Sequence, residues 1–317
     1  MASYMESIPR PTKTYHTKPY PRLSQDHGFE GAGKTVLVTG GAGGVGLAIS
    51  RAFAEAGVSR LVIVARSAGP QAQVKAELEA AHPGLEVLTY AASITDRDST
   101  AKILKDLGES GGLDVLVLCA AVAHRRITAA EVSPQEVRDA FEINTIAAFD
   151  WTQTYLSSPS PKAKTVINVS AAAAQMRHPM RAAYGPSKAA VVQIMQAFAA
   201  EVDWKQKSQP VEEKTRIFLV PPGVALHPRR GGAFRAGRAG VGRRQPAGAL
   251  CALARGAAQR LLAWALPLGA LGCRGADGGQ GEVGGESGGF DDWADTAVEI
   301  PFCGCTSRAG IGWLYLI

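Results

Sequence analysis

The chain has 317 residues, 46% hydrophobic and 20% charged, which is ordinary for a globular protein and excludes wholesale disorder. No uncharged apolar run reaches the roughly 18–20 residues that span a bilayer, and the first 29 residues carry no apolar core of a secretory signal. Five scattered cysteines make no disulfide framework, so the expected compartment is the reducing cytoplasm, with no membrane association.

The net charge of +6 is unevenly placed. Residues 1–226 hold 24 basic and 21 acidic side chains, residues 227–276 hold nine arginines and no acid, and residues 277–317 hold one arginine against seven acids. The arginines of the middle segment lie among Gly and Ala with little aromatic interleaving, so no nucleic-acid partner is expected. All 12 lysines fall at or before Lys214, and 20 of the 36 glycines fall in the last 91 residues. Two readings account for this break: a flexible Arg/Gly-rich tail, or translation of a shifted GC-rich reading frame. Both expect little packed structure after residue 226. The organisation read from the sequence is an N-terminal arm at 1–33, a folded domain at 34–226, and a tail at 227–317 that is irregular or disordered.

Within the folded part, apolar runs alternate with helical patterns. Residues 34–39 (KTVLVT) read as a buried strand and 46–56 as a helix; 60–65 (RLVIVA) as a second strand and 71–81 as a helix. Residues 85–91 read as a third strand, 97–107 as a helix, and 113–119 (LDVLVLC) as a fourth strand. A long helix is expected over 134–156, a fifth strand over 164–170 (KTVINVS), a second long helix over 181–204 and a sixth strand over 216–220 (RIFLV). Nearly all-apolar strands separated by helices predict an α/β fold: a doubly wound, Rossmann-type parallel sheet with helices on both faces.

Thr39-Gly40-Gly41-Ala42-Gly43-Gly44-Val45-Gly46 stands between the first strand and its helix. Glycines there allow a tight turn and let backbone N–H groups approach a pyrophosphate at the helix N-terminus. The end of the second strand faces the adenosine ribose in such folds, and a carboxylate there bonds the 2′-hydroxyl. This chain has Ala65-Arg66-Ser67 instead. A guanidinium at Arg66 suits a 2′-phosphate and favours NADP(H) over NAD(H); the alternative is a solvated strand-end charge.

Tyr184-Gly185-Pro186-Ser187-Lys188 opens the second long helix. Tyr184 and Lys188, four apart, share one helix face, so the ammonium can lower the phenol pKa and make an acid/base suited to a carbonyl oxygen. Together with the glycine loop, Asp114-Val115-Leu116-Val117, Ile143-Asn144, Ile167-Asn168-Val169-Ser170 and Pro222-Gly223, in this order, residues 34–224 resemble the short-chain dehydrogenase/reductase family. The Tyr- and Pro-rich N-terminal arm resembles fungal members. The resemblance implies an oxidoreductase that interconverts a ketone and a secondary alcohol with NADP(H), acting on a small-molecule substrate, with a homodimer or homotetramer built on the two long helices. It implies Tyr184 as acid/base, Lys188 on the nicotinamide ribose, Asn144 holding a proton-relaying water, and Ser170 orienting the carbonyl. Cofactor contacts are expected from Thr39, Gly40, Gly44, Val45, Gly46, Arg66, Ser93, Ala120, Asn144, Tyr184, Lys188, Pro222 and Gly223.

Three departures stand out. The family serine, 13 residues before the tyrosine, is Ala171 here, and Ser170 replaces it only if the strand ends or bulges at that point. The Asn-Asn-Ala-Gly that follows the fourth strand in the family is Leu118-Cys119-Ala120-Ala121, with Cys119 expected as a packed small hydrophobe, and Ser93 stands where an acid contacts adenine. After Gly223 the sequence shows neither the family's substrate-covering helix nor its seventh strand. An alternative function follows: a catalytically weak cofactor-binding protein. His124 and His178 flank the expected pocket, as substrate contacts or as exposed loop residues, and Cys303 and Cys305 lack the further ligands of a zinc site, so no metal is expected.

Overall fold

The computed structural model describes residues 29–158, 163–175, 179–210 and 214–222. The expectations for the N-terminal arm up to residue 28 and for the tail lie outside the described residues, as do those for His178, Gly223, Cys303 and Cys305.

Six strands form one parallel sheet: β1 (Thr35–Thr39), β2 (Arg60–Ala65), β3 (Glu86–Ala91), β4 (Val115–Leu118), β5 (Thr165–Val169) and β6 (Arg216–Val220). Their spatial order is β3-β2-β1-β4-β5-β6, which reverses direction between β1 and β4. That reversal opens a crevice at the carboxyl ends of the strands, the place where such sheets bind ligands. Helices α1 (Gly44–Glu55) and α2 (Ala68–Ala81) cover one face. Ile49 and Phe53 of α1 and Val74 and Leu78 of α2 pack there against Val36, Val38, Leu61 and Ile63. The opposite face carries α3 (Arg97–Glu109), α4 (Pro134–Phe141), α5 (Ala147–Ser157) and α6 (Tyr184–Lys205). Its core joins Leu37, Val62, Leu116 and Val166 to Ile103, Trp151, Val191 and Met195. Strand side chains alternate between the two clusters, so both faces of the sheet are buried, and each fully buried aliphatic side chain contributes roughly 1.5–3 kcal/mol.

The long helix expected over 134–156 is divided in the structure. A π-helical turn, Glu142–Ile146, separates α4 from α5. Such a widened turn turns side chains off their α-helical course and recurs at functional sites. The second long helix begins at Tyr184 rather than 181. Pro186 fits its first turn because the N–H it lacks has no intrahelical acceptor there.

The amino end of the sheet is tied by polar groups. The Asp114 carboxylate accepts the Thr35 amide at 2.9 Å. The Tyr155 hydroxyl reaches the Leu113 and Asp114 carbonyls, both at 2.9 Å. The buried Lys164 ammonium donates to the Tyr155 carbonyl at 2.6 Å, the Leu156 carbonyl at 3.2 Å and the Ser158 carbonyl, capping the end of α5. Burial lowers the Lys164 pKa.

Candidate active site at the carboxyl edge of the sheet

The glycine loop leaves β1 at Thr39. The Thr39 hydroxyl accepts the amides of Cys119 (2.9 Å) and Ala120 (3.2 Å) and donates to the Val117 carbonyl (3.3 Å), fixing the ends of β1 and β4 together. Gly40 turns with φ +71°, in the left-handed region open to glycine, and its amide reaches the Val64 carbonyl at 2.8 Å. A Cβ at Gly46 would lie 2.2 Å from the Gly40 carbonyl oxygen, so α1 starts this close to the loop only with glycine there. Helix α1, which Gly44 opens, has no side-chain N-cap, and a Cβ at Gly43 would meet nothing within 4 Å. The first-turn amides, Val45 and Gly46 included, thus have no side-chain cap, the arrangement at a helix N-terminus that suits a pyrophosphate.

Around this cradle stand the other nucleotide-binding candidates. Arg66 directly follows β2 and is exposed. The Ser93 hydroxyl, beyond β3, shares a hydrogen bond with Thr95 at 2.9 Å. Ala120 follows β4, and its backbone lies 3.2 Å from the position of a Cβ on Gly40. Pro222 follows β6 by two residues and is half-buried.

The second cluster is built on the π turn and α6. Asn144, 2% exposed, accepts the Val122 amide at 2.8 Å and donates to the Val122 carbonyl at 2.9 Å and to the Ser187 hydroxyl at 3.0 Å. Ser187 in turn donates to the Tyr184 carbonyl at 2.9 Å. One side chain therefore fastens the loop after β4 and the first turn of α6 to the widened turn. The Lys188 ammonium, 3% exposed, donates to the Val169 carbonyl at 2.9 Å. Burial lowers its pKa to about 8, against a small opposing effect of Cys119. The half-buried Cys119 thiol is pushed up to about 11 by burial, which keeps it a neutral packing group, as expected.

Ser170 donates its amide to the Val220 carbonyl at 2.9 Å, so pairing with β6 continues through it, and Ala171 is extended (φ −153°, ψ 150°). Alternation puts Ser170 on the α6 face with Val166 and Asn168, and Ala171 on the other. Ser170 is buried, and its hydroxyl has no hydrogen-bond partner among the described residues.

Several features had no sequence signal. The Arg181 guanidinium lies 5.7 Å from the Tyr184 ring centre and donates to the His124 carbonyl at 3.1 Å. His124 itself is half-buried rather than exposed, with Nδ1 enclosed and unpartnered. Arg125 grips Glu136 at 3.0 and 3.2 Å, and Glu136 also caps α4 through Ser133. Arg125, then Ser133, holds the Glu136 carboxyl down at about 2. The pair anchors the loop after β4.

Comparison with known proteins agrees with this geometry. Residues 34–215 match the family described as short chain dehydrogenase. A short chain dehydrogenase/reductase of Aspergillus aculeatus is 52% identical over 226 residues, which cover 71% of this chain and 76% of that protein. Among solved structures, a metagenomic short-chain oxidoreductase in complex with NADP is 27% identical with a TM-score of 0.55, covering 63% of this chain and 87% of that one. A 3-oxoacyl-[acyl-carrier protein] reductase from Brucella melitensis in complex with NAD shares the fold at 23% identity and a TM-score of 0.55, over 63% of this chain and 76% of that one. Among the described residues no helix is long and apolar enough to cross a membrane.

Proposed function

The chain belongs to the short chain dehydrogenase family, and from that premise we propose that it is an NADP(H)-dependent oxidoreductase interconverting a ketone and a secondary alcohol. The observation that carries this reading is the opening of α6, where Tyr184 and Lys188 lie one turn apart and the Lys188 ammonium is buried against β5. NADPH, when bound, supplies hydride to the carbonyl carbon. Tyr184 gives the carbonyl oxygen its proton in reduction and takes it back in oxidation. Lys188 keeps positive charge near the phenol and offers donors to the ribose hydroxyls. Asn144 holds the loop after β4 and the α6 turn in register and supports the water that returns the proton. Strand pairing continues through Ser170 without a bulge, so its hydroxyl meets the carbonyl only if the active-site side of the strand is the α6 face on which Ser170 lies. The free amides of Gly44–Gly46 and the Arg66 side chain hold the two phosphate-bearing parts of the cofactor, and the NADP complex of the metagenomic relative supports the same choice. The working unit is residues 34–226, in the cytoplasm, as a homodimer or homotetramer acting on a small-molecule carbonyl.

A second reading, a catalytically weak cofactor-binding protein, is favoured by Ala171 at the position of the family serine. Turnover separates the two. The full chain is mixed with NADPH and a panel of ketones and aldehydes; binding is followed by quenching of NADPH fluorescence and reaction by loss of absorbance. The enzyme reading expects both signals, and Tyr184→Phe removes the second by ~1,000-fold or more while keeping the first. Turnover that survives Tyr184→Phe defeats the acid/base assignment, and binding without oxidation of any carbonyl selects the second reading.

A further inference from the structure

Gln71 is a buried polar residue that the reaction does not use. It sits in the first turn of α2, 1% exposed, six residues beyond the end of β2. Its amide nitrogen donates to the Ala65 carbonyl at 2.8 Å and to the Ser67 carbonyl at 3.1 Å. These are the carbonyls on either side of Arg66. The Ala65 carbonyl is also held by the amide of Ala92, directly after β3, at 3.1 Å. Gln71 Oε1 is buried without a partner. A flipped amide would bring its oxygen against two carbonyl oxygens, so the two donated bonds fix the orientation and the orphaned acceptor is the cost of making them. Arg66 thus stands on a peptide unit clamped at both ends, at the carboxyl edge beside the glycine loop, with only its side chain left to move.

The geometry points to Gln71 as a positioning residue for cofactor choice: by clamping the carbonyls of Ala65 and Ser67, it pre-orients Arg66 for the 2′-phosphate of NADP(H). This rests on the NADP(H) reading and adds to it a residue that never touches the cofactor. A guanidinium earns its full charge-assisted, bidentate strength only when its approach is fixed, because an untethered loop must be ordered on binding. The bare 2′-hydroxyl of NADH makes no such demand on residue 66, so the clamp acts on one cofactor and not the other.

The test measures dissociation constants of NADPH and NADH by calorimetry for the full chain and for Gln71→Leu, Gln71→Met, Arg66→Ala and the double variant Arg66→Ala/Gln71→Leu, with thermal melts showing that each is folded. Leu and Met keep the volume and remove the donors, so if one fails to fold the other still reports. The expected result is a ~5–10-fold loss of NADPH affinity in the Gln71 variants, with NADH affinity within about twofold of the parent. Arg66→Ala is expected to remove the preference, and adding Gln71→Leu to it changes the ratio no further. Equal weakening of both cofactors, or an unchanged ratio in the Gln71 variants, overturns the clamp while leaving the cofactor reading intact. A parent chain that does not prefer NADPH overturns the cofactor reading and the clamp with it, whereas an NADPH preference that survives Arg66→Ala overturns the role of Arg66 and the clamp but leaves the cofactor reading standing.

Discussion

The two ends of the parallel sheet treat their polar groups differently. At the amino end, Asp114, Tyr155 and Lys164 are buried and each bonds to backbone, closing strand starts and a helix end. At the carboxyl end, Gln71 Oε1, His124 Nδ1 and Asn168 Oδ1 are enclosed without partners. Unmade hydrogen bonds cost free energy wherever they are buried. Three of the four such atoms among the described residues lie at this edge; the fourth, Asp203 Oδ2, lies near the end of α6, beside the start of β6, so the two ends differ in degree. Lys188 belongs to the unsettled side: burial penalises its charge and lowers its pKa to about 8.

The contrast can be broken first at Lys188. Lys188→Met is expected to reduce turnover ~100-fold or more, because the cation beside Tyr184 disappears. In the parent chain, reduction is expected to fall as pH rises through about 8, where the buried amine loses its proton. Stability carries the opposite slope. Between about 8 and 10.5 the unfolded chain holds this proton and the folded chain has released it, so this group's contribution to stability rises across that window. A pH–rate profile set beside melts over the same range checks both, and a rate that climbs steadily to pH 10 would contradict the assignment.

At the other end the expected loss is in stability. Asp114→Ala strands the Thr35 amide inside the protein and should cost about 1–3 kcal/mol, seen as a fall of several degrees in the melting temperature. The ratio of NADPH to NADH affinity should not move. A changed ratio with an unchanged melt would erase the division between the two ends.

The smallest effect should come from Asn168→Val. Removing an unpartnered buried oxygen from β5 replaces an unpaired polar group by an apolar one of fitting shape, so the melting temperature should stay level or rise, by about 1 kcal/mol at most. A loss larger than that would show that Asn168 belongs with the satisfied groups of the amino end.

Much of this was legible in the sequence. β2 and β6 follow their apolar runs, each with one arginine (Arg60, Arg216) at its start, because the middle of a buried parallel strand is apolar. The glycine loop was legible because the backbone contact between Gly40 and position 46 admits no side chain. The π turn at Glu142–Ile146 was not, since EINTI carries an ordinary helical pattern and the widening comes from Asn144 bonding across to residues 122 and 187. Helix α6 starts at Tyr184, and the Arg181 side chain, which holds the His124 carbonyl and lies over the Tyr184 ring, gave no sequence signal. Gln71 gave no signal either: a glutamine in a helix's first turn reads as solvated until the carbonyls beneath it are seen. The sequence speaks for groups that satisfy local periodicity and is silent about those that reach across the fold.

The seat of β1 has a consequence for how the protein is made. Val36 pairs with Leu61 on one side and with Val115 on the other. The first neighbour emerges from the ribosome soon after β1 and the second much later, so the nascent chain passes through a stage in which β1 has one partner. During that stage Thr39 has no Cys119 or Ala120 amide to accept, and one wall of the nucleotide cradle is missing. A nucleotide that binds the proposed cradle is therefore expected to stabilise the sheet chiefly once β4 has arrived.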